Sequence, residues 1–169
     1  QVVEEKEALN RMERKVEHIQ QAQSIVQEIA QQVQQSAHAR IAHVVSRCLE
    51  TVFGEEEAYQ FKIDFKQLRG KTEARLVLVR DGHEIDKPID AAGGGVIDIC
   101  AFALRLACLM LSQPRRRRLL VIDEPFKMLS KDYRPKVREL LFLLSKEMKV
   151  QIILVTHSEE LVCGKVIEL

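Results

Sequence analysis

Between residues 9 and 37 the chain carries two interleaved heptad rows. Leu9, Val16, Gln23, Ala30 and Ala37 form one row, and Met12, Ile19, Val26 and Val33 form the other, with Glu, Lys, Arg and Gln between them. The spacing predicts a coiled-coil arm over residues 1–45, ahead of a lobe over 46–169. Gln23 in the seam lowers stability and fixes register. The competing reading is an amphipathic helix packed on a globular body. A pattern that runs for about four heptads without a breaker favours the arm. No second heptad stretch follows in the chain, so the partner strand is expected from another segment or chain.

After Gly54 the period changes to two. Tyr59, Phe61, Ile63 and Phe65 alternate with Gln60, Lys62, Asp64 and Lys66, as in a half-buried strand. Leu76 to Val79 predict a second strand, and Asp81-Gly82 a tight turn into His83–Ile85. From residue 95 the pattern alternates helix and strand. A buried helix begins near Val96, and a short apolar run, Leu119 to Ile122, reads as a strand buried on both faces. A helix from about Asp132 carries Val137, Leu140, Leu141, Leu144 and Met148 on one stripe. The strand Gln151–Val155, a short helix capped by Ser158 and a last strand over Lys165–Leu169 complete the series. The alternation predicts an α/β lobe with a mostly parallel sheet covered by helices, preceded by an antiparallel meander.

Three features in this frame carry chemistry. "LLVIDEPFKMLS" puts Asp123 and Glu124 at the carboxyl end of a strand, where ligand sites of open α/β sheets collect, and Pro125 ends the strand. A Walker B element works in this way: one carboxylate serves a magnesium ion and the next polarises the attacking water. "AAGGG" delivers Gly93, Gly94 and Gly95 into a helix N-terminus, leaving backbone N–H groups for an anion. "ILVTHS" ends the following strand in His157, at the same sheet edge as the acidic pair. Each has a plain alternative, namely an acidic turn, a helix entry and a turn histidine. Their order and spacing together make the chemical reading the stronger one. "GKT" at residues 70–72 is a decoy. The first glycine of a P-loop would fall at Phe65, and a strand rather than a helix follows.

Composition narrows the classes further. The 169 residues suffice for one domain with an appendage, and a net charge of +1 gives no bulk attraction to polyanions. Arg115–Arg118 is a local basic patch, with a solvated loop as its ordinary explanation. Cys48, Cys100, Cys108 and Cys163 lack metal-type spacing and read as reduced core residues of a cytosolic protein. Val96 to Leu111 approaches membrane-spanning length, but Asp98 and Arg105 on one face make a soluble core helix the better reading, so no membrane is expected. The charged, glutamine-rich opening differs from a secretory leader, and Gln1 suggests that a segment precedes it.

"GGGVIDICAFALRLACLML", "LLVIDEPFKMLS" and "ILVTHSEEL" resemble the signature helix, the Walker B element with its D-loop, and the H-loop of coiled-coil ABC ATPases of the SMC, SbcC and RecN type. "ALRLA" and "DEPF" are nearer the SbcC branch, whose members assist a nuclease at DNA ends. The resemblance covers nearly the whole chain and corresponds to the C-terminal half of such a head with its coiled-coil arm. It implies ATP and Mg2+ as cofactors, Asp123 as the magnesium ligand, Glu124 as general base and His157 as the switch. Gly93, Gly94 and Gly95 would grip the γ-phosphate of ATP held by the opposite protomer, in a dimer across ATP. Implied partners are an N-terminal lobe with P-loop and Q-loop, DNA in the assembled complex, and a nuclease. The implied setting is DNA repair, recombination or chromosome maintenance, in the cytoplasm, at the nucleoid or in a nucleus.

The sequence departs from the family pattern at two places. Ala92 or Gly93 stands where the signature serine is usual, and Ser130 follows Leu129 where the D-loop has aspartate, with Asp132 two places later. Without a P-loop, the chain is expected neither to bind ATP tightly nor to hydrolyse it alone. It is expected to be an ATP hydrolase only when complemented. The alternative is an inactive scaffold that dimerises through its coiled coil and binds DNA or protein.

Overall fold

The computed structural model describes residues 2–57, 59–68, 71–85 and 87–168. The predicted arm and the first turns of the lobe form one helix, α1 (Val2–Phe53). The chain divides into two compact units, Gln1–His38 and Ala39–Leu169. In the first unit Leu9, Met12, Val16, Ile19, Val26 and Val33, all members of the two heptad rows, are exposed.

In the second unit Val45, Cys48, Leu49 and Val52, near the end of α1, are buried. They join a core shared with Tyr59, Phe61 and Leu78 and with the later helices. The meander forms as expected: β1 (Gln60–Leu68), β2 (Lys71–Arg80) and β3 (His83–Glu84) pair antiparallel in that order. Asp81 and Gly82, at φ 52° and 79°, make the tight turn between β2 and β3. Lys71 and Thr72 of the "GKT" stretch open β2, opposite Leu68 and Gln67, while Gly70 lies outside the described residues. A short helix α2 (Pro88–Ala91), not anticipated from the sequence, leads through Gly93 into α3 (Gly94–Leu111).

Among the described residues α3 is the single helix long and apolar enough to cross a membrane. Its Ile99, Phe102, Ala103, Leu106 and Ala107 are buried, as in a core helix of a folded lobe. Cys48 and Cys100 are buried, and burial pushes their thiols up to about 11 and about 12. Cys108 and Cys163 are exposed, which corrects the expectation of four core cysteines: Cys108 lies on the open side of α3 and Cys163 in the terminal coil.

β4 (Leu119–Asp123) and β5 (Gln151–Val155) pair in parallel, joined by a 3-10 turn (Lys131–Tyr133) and α4 (Arg134–Glu147). α4 starts two residues later than the sequence suggested, because the 3-10 turn takes Asp132. Val137, Leu140, Leu141 and Leu144 form its buried stripe. β4 is not buried on both faces. Leu120 and Ile122 face the core, whereas Leu119 and Val121 are exposed, as are Ile153 and Val155 beside them on β5. Parallel strands are ordinarily covered on both sides, and the described residues cover one. The predicted last strand is also absent: residues 165–168 are coil, with Val166 and Ile167 exposed, and Leu169 lies outside the described residues.

Candidate functional site

The carboxyl ends of β4 and β5 carry the acidic pair and the histidine. In the parallel register Asp123 lies opposite Val155, so Glu124 and Thr156-His157 leave the sheet side by side. The ladder continues one step further through the Glu124 N–H, which donates to the Val155 carbonyl at 2.9 Å. Glu124 then turns sharply, with φ at 42°, in the left-handed region that L residues seldom occupy. A conformation of this kind costs about 1–3 kcal/mol and persists where its surroundings hold it, commonly at functional sites.

His157 holds the Glu124 side chain. The His157 backbone N–H donates to Glu124 Oε1 at 2.8 Å, and the ring Nδ1 lies 2.8 Å from the same oxygen. These bonds keep the Glu124 carboxyl below the usual carboxylate range, with the His157 ring as the main cause. An ionised acceptor requires the proton on Nδ1. Nε2 of the neutral ring is then an acceptor, and in the imidazolium it is a donor. The imidazole is largely exposed, at 79%, so a ligand or partner can reach it. Among the described residues no hydrogen bond falls on Glu124 Oε2, which leaves that oxygen to meet a water.

Asp123 ends β4 with an exposed side chain. Among the described residues no group of three or more metal-ligating side chains exists. Such a lone carboxylate fits magnesium, which is usually held by one or two carboxylates together with phosphates and waters. It does not fit a metal that needs a protein cage.

The glycines sit at the other end of the turn that Glu124 begins. Gly93 caps α3 at φ 83°, while Gly94 and Gly95 pack against Met128 and Leu129. A Cβ on Gly94 would lie 2.8 Å from Met128 Cβ, and one on Gly95 3.2 Å from Leu129 Cα. Asp98, noted in the sequence as an intruder in an apolar helix, accepts the Met128 N–H at 2.8 Å. Phe102 meets Phe126 edge-on at 5.3 Å. The turn from Glu124 to Ser130 is therefore stapled to the first turns of α3. A pocket of ≈ 240 Å³ opens at this helix tip, lined among others by Gly93, Gly94, Tyr59, Tyr133 and Glu57. Glu57 accepts from the Tyr133 hydroxyl at 2.8 Å, and its charge opposes the attraction of the helix N-terminus for anions.

Arg134 and Glu160 were missed in the sequence, and Ser158 was assigned a different role. Arg134 bonds the Leu129 carbonyl, Ser158 and Glu160 together, and Ser158 is buried. Ser158 precedes the 3-10 turn Glu159–Leu161 but makes no side-chain cap, contrary to expectation. Its hydroxyl donates to Glu160 at 2.7 Å instead. The basic run remains exposed, and Arg118 spends its guanidinium on the Met148 carbonyl at 2.7 Å.

No family model and no curated protein matches the chain. Solved structures do. A chain from work on ATP-driven dimerization and DNA-stimulated activation of SMC ATPases superposes with a TM-score of 0.55 at 17% identity, over 77% of this chain and 74% of its own. An SMC head bound to the C-winged-helix domain of ScpA gives 0.54 at 18% identity, over 73% of this chain and 36% of that one. A Pyrococcus furiosus SMC head with an extended coiled coil, bound to the C-terminal domain of ScpA, gives 0.52 at 17% identity, over 82% and 35%. The chain has the fold of an SMC-type ATPase head, with a parallel pair flanked by helices and an antiparallel meander. It spans little more than a third of the two ScpA-bound heads.

Proposed function

We propose that this chain is the C-terminal half of an SMC/SbcC-like ATPase head and supplies one side of a composite ATP site. The observation that carries the reading is the contact between Glu124 Oε1 and both the backbone N–H and Nδ1 of His157, at the carboxyl ends of adjacent parallel strands. Glu124 is ionised and aimed, as a base that must receive a proton from water requires. His157 orients that carboxylate and keeps Nε2 for a phosphate oxygen or water. Asp123 would hold magnesium, which when bound neutralises charge on the transferred phosphoryl group. Gly93, Gly94 and Gly95 would present the α3 N-terminus to ATP bound on an opposing protomer.

The other half of the site belongs to a lobe with P-loop and Q-loop. The uncovered apolar face formed by Leu119, Val121, Ile153 and Val155 supports docking of such a lobe, since a parallel sheet is stable when covered on both sides. The exposed heptad rows of α1 support an antiparallel or parallel arm partner from the same lobe. DNA ends and an associated nuclease are the proposed setting, by likeness of "ALRLA" and "DEPF" to the SbcC branch.

The test is coexpression with a P-loop lobe carrying a heptad arm, followed by an ATPase assay with and without DNA. The complex should turn over ATP, the isolated chain should not, and Glu124→Gln should abolish turnover while nucleotide binding persists. Unchanged turnover in Glu124→Gln removes the catalytic role and leaves a scaffold that works through its arm.

A further inference from the structure

The Glu124–His157 contact needs the backbone at 157 to stay in place, yet His157 itself is largely exposed. What fixes the segment is its neighbour. Ser158 is the buried polar residue among those described, and its N–H donates to Thr156 Oγ1 at 3.1 Å. The Ser158 hydroxyl is held from two sides: it donates to Glu160 at 2.7 Å and accepts from Arg134 at 3.1 Å. The same guanidinium bonds Glu160 at 3.1 Å and, through Nε, the Leu129 carbonyl at 3.3 Å. One planar fork thus spans the turn that begins at Glu124 and the segment that carries His157. Helix stabilisation does not account for this arginine. It is the first residue of α4, where the positive helix end disfavours a cation.

We propose that Arg134 is a positioning residue that locks the turn Glu124–Ser130 to the His157 segment and so holds the acid–imidazole pair together. That role rests on the catalytic reading of Glu124 only for its consequence in turnover; the locking itself is a property of the isolated chain. The Leu129 end of the lock lies against Gly95, so a surface docking at the α3 tip presses on the element that Arg134 ties to His157. Beside this geometry, the bonds from Ser158, its own backbone and Arg134 lower the Glu160 carboxyl to about 2, so Glu160 stays ionised at any physiological pH.

The experiment uses the full chain as Arg134→Ala, Arg134→Lys and Ser158→Ala, read by amide hydrogen exchange and nitrogen–proton spectra. Arg134→Ala should lower protection of the His157 amide about tenfold and shift the Met128 and Leu129 resonances, with the α4 amides from Val137 to Leu144 unaffected. Ser158→Ala should reproduce the change at His157 without the change at Leu129. Arg134→Lys, which retains charge but not the fork, should fall between. In a complemented ATPase, Arg134→Ala should lower kcat about tenfold with KM unchanged. Unchanged His157 exchange in Arg134→Ala, or an equal loss across α4, overturns the proposal. Absence of turnover in the wild-type complex overturns the ATPase reading instead, and leaves the exchange result standing.

Discussion

The three glycines at the α3 tip differ in why they are glycine, and stability measurements can separate the reasons without any nucleotide. At Gly94 an added Cβ would sit 2.5, 2.7 and 2.8 Å from Cε, Sδ and Cβ of Met128. Met128 is 66% exposed, so the end of its side chain can swing away, but its Cβ cannot. The backbone there is pinned by the Asp98 bond to the Met128 N–H. Overpacking of this kind costs about 1–3 kcal/mol. The gain in helix propensity over glycine is about 1 kcal/mol at most and smaller in a first turn. Gly94→Ala should therefore destabilise by roughly 1–2 kcal/mol, lowering Tm by about 3–6 °C for a chain of this size. Gly93 has open space but sits at φ 83° and ψ 156°, so Gly93→Ala should cost about 1–3 kcal/mol in backbone strain. At Gly95 the nearest atoms are Leu129 Cδ1 at 3.0 Å and Cα at 3.2 Å, a clash relieved by a few tenths of an ångström. There the propensity gain nearly offsets it, and the change should stay within about 0.5 kcal/mol. Urea and thermal unfolding followed by circular dichroism give the ranking. A Gly94→Ala chain as stable as wild type, or Gly95→Ala as the worst of the three, refutes the close-packing argument.

Four further outcomes are expected. Val121→Glu, at a site 62% exposed, should shift the stability of the isolated chain by less than about 0.5 kcal/mol yet prevent capture of a P-loop lobe in a pull-down; normal capture would exclude this face as the docking surface. Asp98→Asn should be tolerated, since burial raises the Asp98 carboxyl and an amide oxygen can still accept from Met128, whereas Asp98→Ala should lose about 1 kcal/mol in urea unfolding; equal effects would contradict it. Glu160 has a folded value of about 2 against an ordinary 4.5, so its contribution to stability is full above 4.5 and is lost as pH falls toward 2. Glu160→Gln should flatten that acid limb, and an unaltered limb would show that the network is not what titrates. Glu124→Gln should leave the fold intact in circular dichroism while weakening the tie to His157, seen as a shift of its ring carbon–proton resonances; an unshifted ring would deny the contact.

Much of the secondary structure was legible because its signals are local. The seven-residue rows of α1, the alternation of β1, the Asp81-Gly82 turn and the stripe of α4 each follow from the spacing of side chains on one element. The approach of Glu124 and His157 was also within reach, because parallel strands deliver their carboxyl ends to one edge. What spacing cannot say is which neighbour an element will find. Leu119–Ile122 reads as a strand covered on both faces, whereas Leu119 and Val121 are exposed, because a run of apolar residues does not say which neighbours will pack on each face. Lys165–Glu168 has strand-like residues but no paired neighbour, so it stays coil.

The sequence alone determined most of the elements, the order of the acidic pair, glycines and histidine, and the strand rather than helix that follows the GKT stretch, since these depend on residues close in the chain. Only the tertiary structure decided that Gly94 and Gly95 make room for Met128 and Leu129. It alone showed that Asp98 serves the turn after Glu124 and that Arg134 joins the Leu129 carbonyl to Ser158 and Glu160. Those contacts join residues some thirty positions or fewer apart, yet on separate elements. Their distances follow from packing, which periodicity does not encode.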